Sequence, residues 1–266
     1  MITSPTNVRI KEARKLQRRR ERYAQGQLLI EGVRLVRDAW QAGGELRQVF
    51  YSPDLLEAQT AAAQLVDELA AAQVEMIACS AAVFATLSET VTPQGIAAVV
   101  GLPVLPVPTP RTLTLLLDQV RDPGNAGTLL RSAAAAGVEL VVFGPETVDP
   151  FNEKVMRAGM GAHFRMPIRI CESWGELASW LESSESLYVA EATGQLAYDE
   201  VDWTAAATLV VGGEASGASP FVRQQATPIR IPMERETESL NAAVAGSVIL
   251  FEVARQRRRA SESAAV

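Results

Sequence analysis

Between residues 27 and 100 short apolar, β-branched runs alternate with alanine-rich stretches of helical period. Strands are expected at 27–30, 47–51, 74–78 and 96–100 and helices at 33–42 and 54–72, which together describe a small α/β domain. Residues 101–111, GLPVLPVPTPR, carry prolines at near-alternating positions, the pattern of an extended, semi-rigid connector. Beyond it, 113–117 reads LTLLL, a continuous apolar run of the kind buried on both faces of a parallel sheet. Further strands are expected at 139–143, 187–190, 208–211 and 229–231, with helices at 126–136 and 174–181. The last strand stops at Pro232, which has no N–H to give a sheet, and a charged loop, 234–238, follows. Ser239 is then placed to cap a long final helix. The first half of that helix is small (Ala242, Ala243, Ala245, Gly246, Ser247), which permits close approach, and Val248, Ile249, Leu250 and Phe251 are expected to fill a core. The resulting division is a domain over 1–100, a linker over 101–111, a second domain over 112–258 and a flexible tail over 259–266.

Composition narrows the class. A chain of 266 residues with 48% hydrophobic and 21% charged residues is globular and long enough for two cores. No uninterrupted apolar run reaches spanning length, and the start, MITSPTNVRIKEARK, is polar and basic where a signal peptide would be apolar. A cytoplasmic protein that does not enter a membrane is expected. Cys79 and Cys171 lie far apart and His163 is the single histidine, so no metal-ligand spacing is present. The cysteines are expected as buried reduced thiols, His163 as a structural or substrate-edge residue, and no metal is called for.

The formal charge of −6 is unevenly placed. Arg9, Lys11, Arg14, Lys15, Arg18, Arg19, Arg20 and Arg22 face only Glu12 and Glu21 within one short helix-forming stretch. A basic arm on an acidic chain suits site-directed binding of a nucleic-acid backbone, where a uniformly basic surface would bind anywhere. A solvated charged helix is the competing reading.

Chemistry-bearing groups cluster after 113–117. In Asp118-Gln-Val-Arg-Asp-Pro-Gly-Asn-Ala-Gly-Thr-Leu-Leu-Arg131, Pro123 and Gly124 are expected to form a tight turn. Asn125 offers an amide, Gly127 removes a side chain at the helix start, and Arg131 projects one turn further on. Downstream, Asn152 or Asp149 can cap a helix presenting Lys154 and Arg157 at i, i+3, two further phosphate-contact candidates. Gly159-Met-Gly161 lacks the third glycine of a dinucleotide loop and follows a helix, which excludes a Rossmann site. The strand at 208–211 runs into Gly212-Gly-Glu214-Ala-Ser-Gly217, a lip that exposes backbone polar groups and offers Glu214 to a ligand.

Asn125-x-Gly127-x-x-x-Arg131, Gly212-x-Glu214-x-x-Gly217 and Ile231-Pro-Met with Ser239-Leu-Asn241 occur in this order. They resemble the three motifs of the SpoU (TrmH-type) RNA ribose 2′-O-methyltransferases. The resemblance spans about 112–258 as the family's catalytic domain, a SPOUT-type knotted (trefoil) parallel-sheet α/β domain that binds S-adenosylmethionine. The region from Asn7 to Val100 resembles the small ribosomal-protein-like α/β domain that binds substrate RNA. By this likeness Gly212, Ile231 and Leu240 are cofactor contacts. It likewise implies Asn125, Arg131, Glu214, Ser239 and Asn241 as the catalytic polar set, while charge and helical spacing make Arg9, Lys11, Arg14, Arg18, Arg19, Arg22, Lys154 and Arg157 the expected RNA contacts. Gly213, Ala215 and Gly159 stand where the family more often has Asn, Gly and Ser.

The resemblance implies metal-independent methyl transfer from S-adenosylmethionine to a ribose 2′-hydroxyl of ribosomal RNA, by a homodimer formed through the C-terminal domain. Arg131 is implied either as activating base or as positioner and electrostatic stabiliser. Transfer RNA is the alternative substrate, and a non-catalytic RNA-binding or ribosome-assembly factor is the alternative class. A non-catalytic protein would be expected to have lost the lip or Arg131, and both are present. A hydrolase using Ser216 or Ser239 would need a Gly-x-Ser-x-Gly elbow, which is missing.

Overall fold

The computed structural model describes residues 1–56, 60–181, 186–234 and 239–264. It divides into two compact units, Met1–Pro103 and Val104–Val266.

The first unit contains α1 (Val8–Lys15), α2 (Arg19–Gln25), β1 (Gln27–Glu31), α3 (Val33–Gln41), β2 (Leu46–Tyr51), α4 (Pro53–Leu56), α5 (Thr60–Ala71), β3 (Met76–Ala78), α6 (Ala81–Phe84) and β4 (Ile96–Gly101). Its sheet has the order β1-β4-β2-β3, with β4 antiparallel to both neighbours and β2 parallel to β3. The helix expected over 54–72 appears as α4 and α5, and its 57–59 portion lies outside the described residues.

The basic stretch is docked, not a free arm. Asn7 caps α1 by accepting from Arg9 N at 2.9 Å, and Ile10, Ala13 and Leu16 recur every third residue to pack against Phe50, Ile77 and Phe84. A turn then separates α1 from α2 and leaves carbonyls without helical partners. Arg22 fills that need, its Nη1 donating to Leu16 O at 3.2 Å and Gln17 O at 2.9 Å. It is only 7% exposed, so the expectation that Arg22 contacts RNA is corrected: it is a structural residue.

The second unit contains β5 (Leu113–Asp118), α7 (Pro123–Ala136), β6 (Leu140–Phe143), α8 (Glu153–Gly159), β7 (Ile168–Ile170), α9 (Trp174–Leu181), β8 (Ser186–Ala190), β9 (Leu196–Ala197), β10 (Ala207–Gly212), α10 (Pro220–Arg223), β11 (Thr227–Arg230) and α11 (Ala242–Ala264). Every pairing in its seven-stranded sheet, β7-β6-β5-β10-β8-β11-β9, is parallel. β5, β6 and β10 are buried at every position, as their unbroken apolar runs require when helices cover both faces. The chain moves from β5 to β6 and β7 on one side, then returns to place β10 on the other. The strand ends beside this reversal are where open parallel sheets hold ligands.

Helix boundaries differ from the sequence expectation at three places, each for a capping reason. Pro123 and Gly124 are not a separate turn but the first residues of α7. Asp122 accepts from Asn125 N at 2.7 Å, and Pro123 sits where its missing N–H costs nothing. Ser239 does not cap α11, because the side-chain oxygen of Asn241 accepts from both Ala243 N (3.0 Å) and Val244 N (3.2 Å). The charged loop expected at 234–238 lies outside the described residues apart from Glu234. At the far end α11 continues helically to Ala264, past residue 258 where a flexible tail was expected. No glycine or proline lies between residues 258 and 264 to end it, and Ser261 and Ser263 bond back to Arg258 O and Arg259 O.

The two central helices are pinned by glycines. A Cβ on Gly127 would lie 2.5 Å from Ala158 Cβ and 2.6 Å from Val155 O, so α7 and α8 touch at backbone distance. A Cβ on Gly246 would lie 2.5 Å from Leu129 Cδ2, which sets the approach of α11 to α7. Ile249 and Leu250 are buried as expected, whereas Val248 and Phe251 are 38% and 54% exposed. These two leave the core because they fall on the outward side of a helix whose inward side is already filled. His163 is a core residue: its Nε2 lies 2.8 Å from Pro150 O, its ring packs on Phe151, and burial pushes its pKa down to about 4. Cys79 and Cys171 are free and buried, and burial raises both thiols to about 11.

Two stability predictions follow from this packing. Gly127→Ala should lower stability by about 1–3 kcal/mol, because the clash outweighs alanine's better helix propensity. Calorimetry should show the melting transition several degrees lower, and an unchanged or higher Tm would refute the close packing. The second concerns His163, which stays neutral when folded but protonates near pH 6.5 when unfolded. The unfolded state therefore gains protons first as pH falls, and stability drops between about pH 6.5 and pH 4 by up to about 1.4 kcal/mol per pH unit. Since His163 is the single histidine, denaturant titrations from pH 7 to 5 should show this slope and His163→Gln should flatten it; an equal slope in both proteins would contradict the assignment.

Candidate active site

The three motif segments meet at the C-terminal ends of β10 and β11. β5 ends in Asp118, whose register partner is Gly212 at the end of β10. Asp118 is fully buried, and its Oδ2 accepts from Ser219 N at 2.6 Å. Burial pushes its carboxyl pKa up, partly offset by the bonds to Ser219. This contact anchors the turn Gly212–Gly217 from below. Within that turn Gly213 and Gly217 exchange backbone hydrogen bonds of 3.0 and 2.9 Å. Its glycines are dictated by space: a Cβ on Gly212 would lie 2.2 Å from Ala218 N, and one on Gly213 would lie 2.4 Å from Gln119 O. The result is a narrow lip with Glu214 exposed at its tip.

A chain of side-chain amides joins the motifs. Asn125 Nδ2 donates to Glu214 Oε1 at 2.7 Å, and Asn241 Nδ2 donates to Asn125 Oδ1 at 3.0 Å. Asn241 in turn caps α11. Residues separated by up to 116 positions are thus held in one hydrogen-bonded row.

Behind the lip lies a cavity of about 390 Å³. Gly212, Glu214, Ile231, Ser239, Leu240 and Asn241, all singled out from sequence, line it. Its floor adds Val211, Ile229 and Ile249, and the end of β8 adds Glu191. The volume is within the range of small-molecule sites, and apolar walls with a few polar groups at strand ends suit a flat heterocycle carrying polar substituents. Among the described residues no group of three or more His, Cys, Asp or Glu is placed to hold a metal ion. No helix among them is long and apolar enough to cross a membrane.

Arg131 stands apart from the chain of amides. It is exposed on α7, its Nη1 lies 2.6 Å from Met160 Sδ, and it does not line the cavity. Lys154 and Arg157 are exposed on α8, capped by Asn152, and Arg157 pairs with Glu153. In the first unit Lys11, Arg14, Arg18 and Arg19 are exposed, with Arg19 over the Tyr23 ring at 5.5 Å, while Arg9 pairs with Glu75 at 2.6 Å. Sequence reading missed Glu191 and Ile249 as cavity residues. The signal for Glu191 was its place just past a parallel strand; Ile249 lies two turns into a helix and carried none.

Comparison with known proteins gives this geometry its setting. A model of the SpoU rRNA Methylase family matches residues 112–251, and one of the MRM3-like substrate binding domain matches residues 7–98. The chain is 31% identical to the 23S rRNA (guanosine(2553)-2'-O)-methyltransferase RlmP of Bacillus subtilis (strain 168), over 94% of this chain and 97% of that one. It is 32% identical to the mitochondrial rRNA methyltransferase 3 of Homo sapiens, over 91% of this chain and 70% of the relative. Among solved structures, the SpoU methyltransferase AviRb from Streptomyces viridochromogenes in complex with the cofactor AdoMet superposes with a TM-score of 0.81 at 28% identity, covering 95% of this chain and 100% of that one. The all-parallel second unit is therefore the SPOUT-type knotted fold and the first a small α/β substrate-binding domain. By sequence and fold, and with its second and third motifs lining one cavity and the first bonded to both through Asn125, the chain belongs to the SpoU rRNA methylase family.

Proposed function

We propose that the protein transfers the methyl group of S-adenosylmethionine to a ribose 2′-hydroxyl of ribosomal RNA, and that it does so as a homodimer with active sites shared between subunits. The observation that carries the activity is the cavity walled by Gly212, Ile231 and Leu240, in a fold whose relatives include one solved with AdoMet and others named as rRNA methyltransferases. S-Adenosylmethionine bound there supplies an already activated methyl group, so the protein's task is alignment and charge stabilisation.

The residues divide that task. Backbone groups of the lip and of Ile231 and Leu240 would hold the polar edges of the cofactor's flat base at the strand ends. The amide row from Asn241 through Asn125 to Glu214 fixes the lip's tip against the start of α11, which keeps the cavity mouth in one shape. Arg131 stays protonated throughout the physiological range as guanidinium groups do, so it acts as positioner of a substrate phosphate and stabiliser of the forming alkoxide, not as a base.

Dimerisation is supported by an apolar stripe. Leu240, Val244, Val248 and Phe251 follow one another at spacings of three and four, on one side of α11 and its entry, and are 38–54% exposed. Such a stripe of exposed apolar side chains, beside the buried Ala243, Ile249 and Leu250, suits a protein contact surface. The separation of Arg131 from its own subunit's cavity supports its serving the partner's.

RNA is gripped by the exposed cations of α1 and α2, Lys11, Arg14, Arg18 and Arg19, with Lys154 and Arg157 nearer the chemistry in sequence. Replacing Lys11, Arg14 and Arg18 by Gln should leave cofactor affinity unchanged. It should also flatten the log–log salt dependence of ribosomal RNA binding by about 2, and an unaltered slope would remove this surface from the RNA interface.

Complementation tests the shared site. Arg131→Ala and Leu240→Trp homodimers should each be inactive, the first lacking its guanidinium and the second its cavity. After dissociation and mixing, half the dimers are mixed and each joins one intact cavity to one intact Arg131, returning about a quarter of wild-type activity. No recovery, with mixed dimers demonstrated by two affinity tags, would show that Arg131 serves its own chain.

A further inference from the structure

The rim of the cavity carries a charged pair that none of the three motifs contains. Glu191 follows the last residue of β8, lines the cavity and has an 18% exposed side chain. Arg223 Nε donates to its Oε1 at 2.6 Å. The same guanidinium reaches the lip, with Nη2 donating to Ser216 O at 3.1 Å and lying 2.6 Å from where a Cβ on Gly217 would stand. One arginine thereby ties the end of β8 to the turn that closes the cavity. Among the described residues no hydrogen bond is made to Glu191 Oε2, so this carboxylate offers an acceptor to whatever fills the cavity.

We infer that Glu191 accepts a hydrogen bond from the ribose 2′,3′-diol of the cofactor's adenosine, with Arg223 as the residue that positions it. The inference rests on the cofactor reading above and adds a subsite to it. S-Adenosylmethionine presents three kinds of donor: the adenine amine, the ribose hydroxyls and the α-ammonium group. A flat base is served by the apolar walls, Ile229, Ile231 and Leu240, with strand-end backbone groups for its edges. The ammonium gains little from a carboxylate whose charge Arg223 already balances. A neutral diol suits it best, since a charge-assisted hydrogen bond needs no unpaired charge on the ligand. The other acid of the cavity, Glu214, is already engaged by Asn125.

The test is titration calorimetry of the full chain with S-adenosylhomocysteine, which cannot turn over, and four analogues. Two lack one ribose hydroxyl (2′-deoxy and 3′-deoxy), one carries hypoxanthine for adenine, and one, 5′-methylthioadenosine, lacks the amino-acid end. In the wild type, removal of the hydroxyl that meets Glu191 should weaken binding about tenfold to a hundredfold. In Glu191→Ala the parent ligand should weaken comparably and that deoxy analogue should no longer bind worse than the parent. Glu191→Gln, which keeps one acceptor oxygen and the side chain's shape, should fall between. Arg223→Ala should weaken every ligand by a similar factor while leaving the hydroxyl discrimination in place, as expected of a residue that acts through position. Hydroxyl discrimination that survives Glu191→Ala and Glu191→Gln unchanged would overturn the inference. So would a discrimination removed by these variants that belongs to the base or the amino-acid end. Failure of the wild type to bind S-adenosylhomocysteine at all would instead overturn the cofactor reading, a distinct outcome.

Discussion

The active architecture depends on a single carboxamide, that of Asn241. Its oxygen caps α11 and its nitrogen reaches Asn125, which in turn holds Glu214 at the tip of the lip. A cap of this kind contributes about 1 kcal/mol, and the neighbouring bonds are partly exposed, so the row adds modestly to stability. Its consequence is geometric. The start of α11, the first turn of α7 and the lip after β10 come from three distant parts of the chain, and the row leaves them one mutual arrangement. Asp118 does the same from beneath, through its bond to Ser219 N. With both ends held, the glycines at 212 and 213 can sit at backbone contact with Ala218 and Gln119.

The cavity is built for alignment. The chemistry asks for a pocket that orients an activated methyl group and for a cation near the forming alkoxide, and these are properties of shape and charge. Shape is built within one subunit from β8, β10, β11 and α11. The cation, Arg131, is on α7 beside Met160 and does not line its own cavity, and it is the proposed dimer that would bring a second copy's Arg131 there.

Much of this was legible in the sequence because local and tertiary signals agreed. Runs such as LTLLL and ATLVVG carry no charge and a single threonine each, with no alternation of polar and apolar positions, which suits a parallel strand covered on both faces. The helix Trp174–Leu181 matched its expectation at both ends. The three motifs announced the cavity because glycines with no room for a Cβ, and amides that must find partners, are needed wherever backbone meets ligand. The failures share a cause: they depended on partners distant in sequence or on competition between neighbours. Arg22 looked like its neighbours until the turn between α1 and α2 supplied carbonyls for it. Ser239 and Asn241 are both good caps, and the choice went to the one that could also bond Asn125. The edge strands Ile168–Ile170 and Leu196–Ala197 are too short to carry a period. Val248 and Phe251 read as core because sequence marks which residues are apolar, not which face of a helix the rest of the chain covers.

The central claim is that a ribose hydroxyl, not a base, receives the methyl group. The most direct measurement incubates the purified protein with S-adenosylmethionine and unmodified ribosomal RNA and maps the product by resistance to alkaline hydrolysis, which a 2′-O-methyl group confers on the adjoining phosphodiester. The account predicts one new resistant position, approaching one methyl group per RNA, and its loss with Arg131→Ala. Methyl incorporation that leaves every position alkali-sensitive, or that resides on a base, would contradict it.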